Sequence, residues 1–477
     1  MSQKSFVNEI ADINSDFPQW YTDVVLKTKL VDYGPVKGSM VIRPYGYAIW
    51  ENIQKELDAR FKATGHLNAY FPLLIPKSFL MKEAEHVEGF APECATVTHV
   101  GKEPLAEPLL IRPTSETVIC DMYSKWVQSW RDLPIKYNQW ANVVRWEKTT
   151  RPFLRTSEFL WQEGHTAHAT AEEAQAETIE MLNVYEEFCR NILAIPVLTG
   201  RKSEKEKFAG AVATYSIEAM MLDGKSLQAG TTHFLGENFA KAFDIKYLDK
   251  SNQLRYANQS SWGVSTRLIG ALIMVHGDER GLRLPPMVAP YQVVIVPIAT
   301  HKPGVTEAAA ALAAKLNKAG VRVHLDGRDM SPGWKFNEWE MNGVPCRIEL
   351  GPKDLEAGQL TVMRRDTLEK SVIDLNKAVP EIKKLLKDIQ KNMYAKALNL
   401  LKSNIVTARS VGEIETAVID RKFALAMWCG DPACEAHVKE KYQATSRNMP
   451  FDQTPIAGTC AICGKTAKHK IYFARAY

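Results

Sequence analysis

The sequence predicts three units in a row. These are a large α+β domain built on an antiparallel sheet over residues 1–287, an α/β domain over 288–385, and a linker helix with a small cysteine-bearing α/β module over 386–477. Three observations carry the prediction. The chain has 477 residues, enough for about three cores at roughly 150 residues each. Residues 291–299 (YQVVIVPIA) form the unbroken apolar run of a buried strand, an alanine-rich helix over 305–319 stops at Gly320, and VRVHLD follows at 321–326. Strand, helix and strand make a parallel βαβ unit. Four of the eight cysteines crowd into the last 49 residues as a CxxxxC pair, Cys429 and Cys434, and a CxxC pair, Cys460 and Cys463.

Composition sets the background. With 45% hydrophobic and 24% charged residues the chain is globular rather than disordered or fibrous. A net charge of +5 does not by itself argue for nucleic acid. The longest apolar runs, 268–275 and 293–298, fall far short of the roughly 20 residues that span a bilayer. The first 18 residues mix Lys4, Glu9, Asp12 and Asp16 without an apolar h-region. No membrane partner and a cytoplasmic location are therefore expected. Cys94, Cys120, Cys189 and Cys346 stand singly among apolar neighbours and read as small buried hydrophobes of a reducing compartment.

Within the first unit the densest constellation is 140–165, WANVVRWEKTTRPFLRTSEFLWQEGH, which reads as two strands joined by a turn. Alternate strand residues share a face, so Arg145 and Glu147 point one way together, and so do Arg155, Phe159, Trp161, Glu163 and His165. Arginines to clamp phosphates, an aromatic ring to stack a base and carboxylates to receive an ammonium suit a nucleotide together with a zwitterion. On spacing alone, a solvated hairpin with cross-strand ion pairs is the other reading. LPP at 284–286 and Pro290 break regular structure and mark the domain boundary. In the second unit, 335–354 (KFNEWEMNGVPCRIELGPKD) sets cations beside Phe336, Trp339 and Glu340.

Residues 381–401 repeat apolar positions every three to four residues, from Ile382 through Ile389 and Met393 to Leu400. That is an amphipathic helix bridging the second unit to the third, its lysines a solvated face before they are an RNA contact. In the third unit the two short-spaced cysteine pairs let four thiolates converge on one zinc. No position is left for substrate, so the site is structural and contributes folding energy. Two disulfides or a redox CxxC is the alternative.

The RxE of Arg145 to Glu147 and the RxxxF of Arg155 to Phe159 resemble motif 2 of class II aminoacyl-tRNA synthetases. Residues 261–286 (SWGVSTRLIGALIMVHGDERGLRLPP) resemble motif 3, in which a glycine-bearing strand delivers an arginine, here Arg267, to the start of an apolar helix. Residues 47–72 resemble motif 1, the dimer-forming helix and strand. RPTSE at 112–116, FLWQEGH at 159–165, EKEKFAGA at 204–211 and QAGTTHFLGENF at 228–239 closely resemble the prolyl-tRNA synthetase family of the archaeal and eukaryotic-like type. The resemblance spans essentially the whole chain.

It implies a class II synthetase fold, then an anticodon-binding α/β domain and a zinc-binding C-terminal domain. It also implies activation of L-proline with ATP and Mg2+ to prolyl-adenylate and pyrophosphate, transfer of proline to the 3′ end of tRNA(Pro), and a homodimer formed through motif 1. By the resemblance Arg145, Glu147 and Arg267 are catalytic, and ATP is held by these three with Arg155, Thr156, Phe159, Gln228 and Thr231. Proline is held by Thr114, Glu116, Arg145, Trp161, Glu163, His165, His233 and Ser261. Phe336, Glu340, Arg347 and Lys353 meet the anticodon, where aromatics stack splayed bases and carboxylates accept from guanine edges.

The family's bacterial type carries an editing insertion between motifs 2 and 3, and the stretch from His165 to Ser261 leaves no room for it. A proline pocket excludes smaller alanine by only about 1–3 kcal/mol per missing methylene, so activation of alanine or cysteine without clearance is expected. The terminal Tyr477 resembles that of relatives whose C-terminal carboxylate approaches the active site. A threonyl-type enzyme would place a catalytic zinc in the first domain. A non-catalytic RNA-binding paralogue would have lost some of Arg145, Glu147, Arg155 or Arg267, all of which are present.

Overall fold

Asp16 opens α1 (Phe17–Lys27) by accepting the Gln19 N–H, with Pro18 in the first turn where an N–H has no partner to lose. The computed structural model describes residues 10–79 and 94–477. Residues 1–9, part of the stretch read as free of an apolar h-region, lie outside them. Buried positions recur at helical spacing in α1 (Phe17, Trp20, Tyr21, Val24) and in α2 (Pro44–Ala63), through Ile49, Ile53, Leu57 and Phe61.

The chain continues through β1 (Leu67–Asn68), α3 (Glu116–Trp126), β2 (Ile135–Val144), β3 (Glu158–His168), α4 (Ala171–Asn191), β4 (Val197–Arg201), β5 (Ala213–Met220), β6 (Ser226–Gly236), β7 (Asn258–Ser265) and α5 (Arg267–His276). Seven strands lie side by side in the order β4-β5-β6-β7-β3-β2-β1, antiparallel except for β1 on β2. Helices α1, α2, α4 and α5 share one core with this sheet, in which Tyr185 and Phe188 meet Ile217 and Trp262. Gly164 is required there, because a Cβ would lie 2.0 Å from the Trp262 ring.

The two strands expected within 140–165 are present, but their connection is longer than a turn. The Arg145 N–H donates to the Ser157 carbonyl at 2.8 Å and closes the ladder there. Pro152 cannot donate to a sheet and Phe153 takes a positive φ of 59°. Arg145, Glu147 and Arg155 therefore sit on the connection rather than on strand faces.

The second unit follows as β8 (Val293–Pro297), α6 (Val305–Lys318), β9 (Val323–Leu325), α7 (Pro332–Met341), β10 (Cys346–Leu350), β11 (Gln359–Arg364) and β12 (Lys370–Asp374). Its sheet order is β9-β8-β10-β11-β12, with β8 parallel to both neighbours, so the βαβ expectation matches. Helix α8 (Ala378–Ser403) then threads the three cores in turn. Ile382 and Leu386 pack on the second unit, Ile389 and Met393 on Ala194 of the first, and Leu401 on Phe423 and Ala474 of the third.

The third unit comprises β13 (Ile405–Ala408), α9 (Val411–Ile419), β14 (Phe423–Trp428), α10 (Pro432–Tyr442), β15 (Thr445–Ser446), β16 (Met449–Pro450) and β17 (His469–Ala474). Strands β13, β14, β17 and β15 form its own sheet, while β16 leaves it to pair with β4, Met449 opposite Arg201, as the eighth strand of the large sheet. Beneath that joint the buried Glu218 carboxylate takes Lys202 at 3.3 Å and Arg447 at 2.9 Å. Burial works against its charge, but the two cations and the Ser226 hydroxyl outweigh this and pull it down to about 2.

The first and second units are locked by Asp278, which receives Arg365 at 2.6 and 2.8 Å and Arg283 at 2.6 Å. Asp278→Ala leaves the Arg365 guanidinium, 2% exposed, without its carboxylate. The expected loss is about 3–5 kcal/mol, the cost of breaking a buried pair from one side, read as a lower urea midpoint.

Candidate active site

Strand alternation builds the floor of a cleft of about 290 Å3. Two rows cross the sheet on the same face, since their members stand two residues apart on each strand. One row runs Tyr137, His165, Ser261, His233 and the other Gln139, Glu163, Gly263, Thr231. Phe159 and Trp161 extend β3 toward the open end, their rings edge to face at 6.1 Å. Around this floor the cleft gathers Thr114, Glu116, Arg145, Gln228 and Arg267, together with Glu206, Lys207 and Phe208. The last three lie in EKEKFAGA, which the sequence singled out without giving them roles.

One end of the cleft is cationic. The Arg145 guanidinium donates from Nε to the Pro113 carbonyl at 3.0 Å and lies 5.7 and 5.4 Å from the Phe159 and Trp161 ring centroids. Arg267, first residue of α5, is braced by the Leu154 carbonyl at 3.2 Å. Burial and the neighbouring charges of Arg145 and Arg155 bring Arg267 down to about 10, so it stays protonated near neutral pH. Cations held this close favour a polyanion between them. Glu147 and Arg155 face each other at 4.0 Å beyond the cleft lining. Thr156 lies behind Phe159 in a neighbouring cavity, and its hydroxyl is committed to the Glu158 carbonyl at 2.7 Å.

Beside Arg145, which feels the charges of Glu116 and Glu163, the lining is anionic and hydrogen-bonding. Thr114 donates its hydroxyl to Glu116, and Glu163 pairs with His165 Nε2 at 2.9 Å. Burial opposes charge on both members of that pair, yet their mutual hydrogen bond and attraction hold the Glu163 carboxyl below the usual range and raise His165. His233 behaves oppositely. Burial and the charge of His165 push it down to about 3, a neutral imidazole between the Thr214 and Thr231 hydroxyls at 3.0 and 3.2 Å. Ser261 Oγ and Trp161 Nε1 are buried without a hydrogen-bond partner among the described residues. Both line the cleft, and such atoms await a ligand or water. Sequence reasoning missed Ser115 and Gln139, which both donate to Glu163. Ser115 lies inside RPTSE and Gln139 immediately precedes the segment read as the site.

Away from the cleft, the Arg347 guanidinium lies 4.1 Å over the Phe336 ring and pairs with Glu349 at 2.8 Å and Glu340 at 3.9 Å. Glu340 also reaches across the domain joint to Arg280 at 2.6 Å. Lys353, on the short helix Pro352–Glu356, is exposed. In the third unit the four cysteine sulfurs lie within 4.8 Å of one another, with separations of 3.6, 3.7 and 4.0 Å. Tyr477 donates its hydroxyl to Asp223 at 2.7 Å and its N–H to the Ser226 carbonyl at 3.1 Å, at the start of the strand that carries Gln228.

Residues 99–276 match the tRNA synthetase class II core domain (G, H, P, S and T), 292–385 the anticodon binding domain, and 411–477 the prolyl-tRNA synthetase C-terminal domain. The proline–tRNA ligase of Alkaliphilus oremlandii is 61% identical over all of this chain and 99% of its own. That of Lachnoclostridium phytofermentans is 59% identical over the whole of both chains, and that of Symbiobacterium thermophilum 56% over all of this chain and 99% of its own. With a class II core, an anticodon domain and a C-terminal domain of one kind, and relatives this similar from end to end, the chain belongs to the prolyl-tRNA synthetase family.

Proposed function

We propose that the cleft joins L-proline to ATP, supplied with Mg2+, and then passes proline to the 3′ end of tRNA(Pro). One observation carries this reading: an arginine pair and a carboxylate–hydroxyl set line one cleft. A carboxylate oxygen of proline attacks the α-phosphorus, the bond to the β-phosphate oxygen breaks and pyrophosphate leaves. A terminal ribose hydroxyl of the tRNA then attacks the carbonyl carbon, AMP departs, and the hydroxyl proton is released.

Negative charge grows on the α-phosphate oxygens, where Arg145 stabilises it more than in the ground state. Phe159 and Arg267 enclose the adenine, Arg155 reaches the distal phosphates with Glu147 beside it, and Gln228 and Thr231 meet the ribose, while Thr156, its hydroxyl held by the Glu158 carbonyl, backs Phe159 instead of touching the nucleotide. Thr114 and Glu116 take the secondary ammonium of proline against a wall of Trp161, Glu163, His165, His233 and Ser261. Orientation and fixed charge suffice, so no protein nucleophile takes part.

In this reading residues 1–287 aminoacylate, 288–385 bind the anticodon through Phe336, Glu340, Arg347 and Lys353, and 386–477 brace the catalytic sheet. Four thiolates around zinc at about 2.3 Å in a tetrahedron stand about 3.8 Å apart. The separations of 3.6 to 4.0 Å fit that ion, held by Cys429, Cys434, Cys460 and Cys463. When bound it cross-links the module and takes no part in the reaction. A homodimer through motif 1 is supported by the exposed Tyr33, Val41, Tyr47, Leu67 and Tyr70 in neighbouring segments. Among the described residues no helix is long and apolar enough to cross a membrane. A cytoplasmic location accords with free thiols in a reducing compartment.

Three measurements test this reading. Proline-dependent ATP–pyrophosphate exchange should fall about 10²- to 10³-fold in Arg145→Ala, the cost of one charge-stabilising donor; unchanged exchange would remove Arg145 from the reaction. Elemental analysis should find one zinc per chain and none in Cys460→Ser, which should also melt earlier; an equally stable zinc-free variant would end the structural role. Alanine and cysteine should support exchange about 10- to 200-fold more weakly than proline, without deacylation of alanyl-tRNA by the chain itself. Observed deacylation would contradict this.

A further inference from the structure

Gln139 does not line the cleft, yet the amino-acid end of the cleft converges on it. It is 1% exposed and stands directly across from Glu163 in the β2–β3 ladder. Its side-chain oxygen accepts the Phe71 N–H at 2.5 Å. A backbone N–H can only donate, so this bond fixes the amide orientation and aims Nε2 into the site. There Nε2 donates to Glu163 Oε1 at 2.8 Å and lies 3.3 Å from the Ser115 hydroxyl, which donates to the same oxygen at 2.5 Å. The other oxygen, Oε2, takes His165 at 2.9 Å.

Three of the roughly four acceptor sites of the buried Glu163 carboxylate are thus filled by protein donors, two on Oε1 and one on Oε2. A substrate ammonium would find at most one site left there, on Oε2 beside the His165 ring. Glu116 differs. Among the described residues only its Oε2 takes a hydrogen bond, from Thr114, and the residue lines the cleft. Two carboxylates of one pocket are therefore divided by their neighbours, one built into the wall and one left for the ligand.

We propose that Gln139 is a positioning residue for the amino-acid site: anchored by the Phe71 N–H, it fixes with Ser115 the Glu163–His165 pair that forms the pocket wall, and so leaves Glu116 to meet the ammonium of proline. The proposal rests on the reading of the cleft given above and adds a residue that makes no contact with substrate. It also ties the pocket to the segment that follows β1, because Phe71 lies three residues beyond Asn68.

The test is steady-state exchange with proline and ATP varied separately, using the full chain. Gln139→Met keeps length but removes both hydrogen bonds, and should raise KM for proline about tenfold, the factor expected for one lost bond to a charged group, without moving KM for ATP. Gln139→Glu keeps the acceptor for Phe71 but turns a carboxylate toward Glu163. The two share a proton at low pH and repel once both ionise. The groups facing this pair are His165 on the strand of Glu163, Glu116 at the head of α3, Arg145 on the β2–β3 connection, and His233 across the sheet. KM for proline in Gln139→Glu should therefore climb more steeply with pH than in the unsubstituted chain.

If Gln139→Met does not fold, Ser115→Ala leaves the Phe71 anchor intact and should show the same proline-selective rise. Unaltered KM for proline and an unaltered pH profile in these variants would overturn the proposal, as would equal rises for ATP and proline. An unsubstituted chain that shows no exchange with proline would instead end the reading of the reaction itself.

Discussion

A single backbone ladder joins residues that lie almost four hundred positions apart, from Leu67 at one edge to Pro450 at the other. Its register decides the chemistry. Because strand side chains alternate, His165, Ser261 and His233 share a face only while β3, β7 and β6 keep their pairing. A slip of one residue would turn the whole row toward the helices and bring Gln162 and Trp262 into the cleft. The apolar packing of α4 on the opposite face prevents it, since Trp262 seated against Gly164 has no alternative place. Packing on one face and the shape of the cleft on the other are the same constraint seen from two sides.

The buried charges follow from that frame. Glu116, Glu163 and His165 all lie where water is scarce, and each is tolerated because a hydrogen-bond donor or a neighbour of opposite sign stands beside it. The two histidines of one row show how local this is. His165 faces a carboxylate and gains basicity, whereas His233 faces two hydroxyls and a cation and loses it. The ordinary imidazole value says little about either.

Much of this was legible in the sequence because it depends on spacing along the chain. The βαβ unit, the strand carrying Phe159 to His165, the arginine at the head of α5 and the cysteine pairs are all local patterns, and the fold matches them. What escaped depends on contacts between distant segments. Nothing near Gln139 says that Phe71 will anchor it, and nothing near Met449 says that it will leave its own module to pair with Arg201. Glu340 reads as a free carboxylate on a helix, yet Arg280 from the preceding domain holds it. The displacement of Arg145, Glu147 and Arg155 from strand to connection has a local cause, Pro152, whose effect was underweighted beside the strong alternation that follows it.

Strand β16 has one more consequence. The large sheet ends at both edges in strands two residues long, Leu67–Asn68 and Met449–Pro450, and the second finishes in a residue without an N–H. Short, proline-bearing edges are poor templates for a further chain. Without the C-terminal module, β4 would become the border, and Val197–Arg201 would offer an unpaired row of donors and acceptors next to the wholly buried β5. The C-terminal module thus caps the Gly200–Arg201 end of that border for as long as its own fold holds.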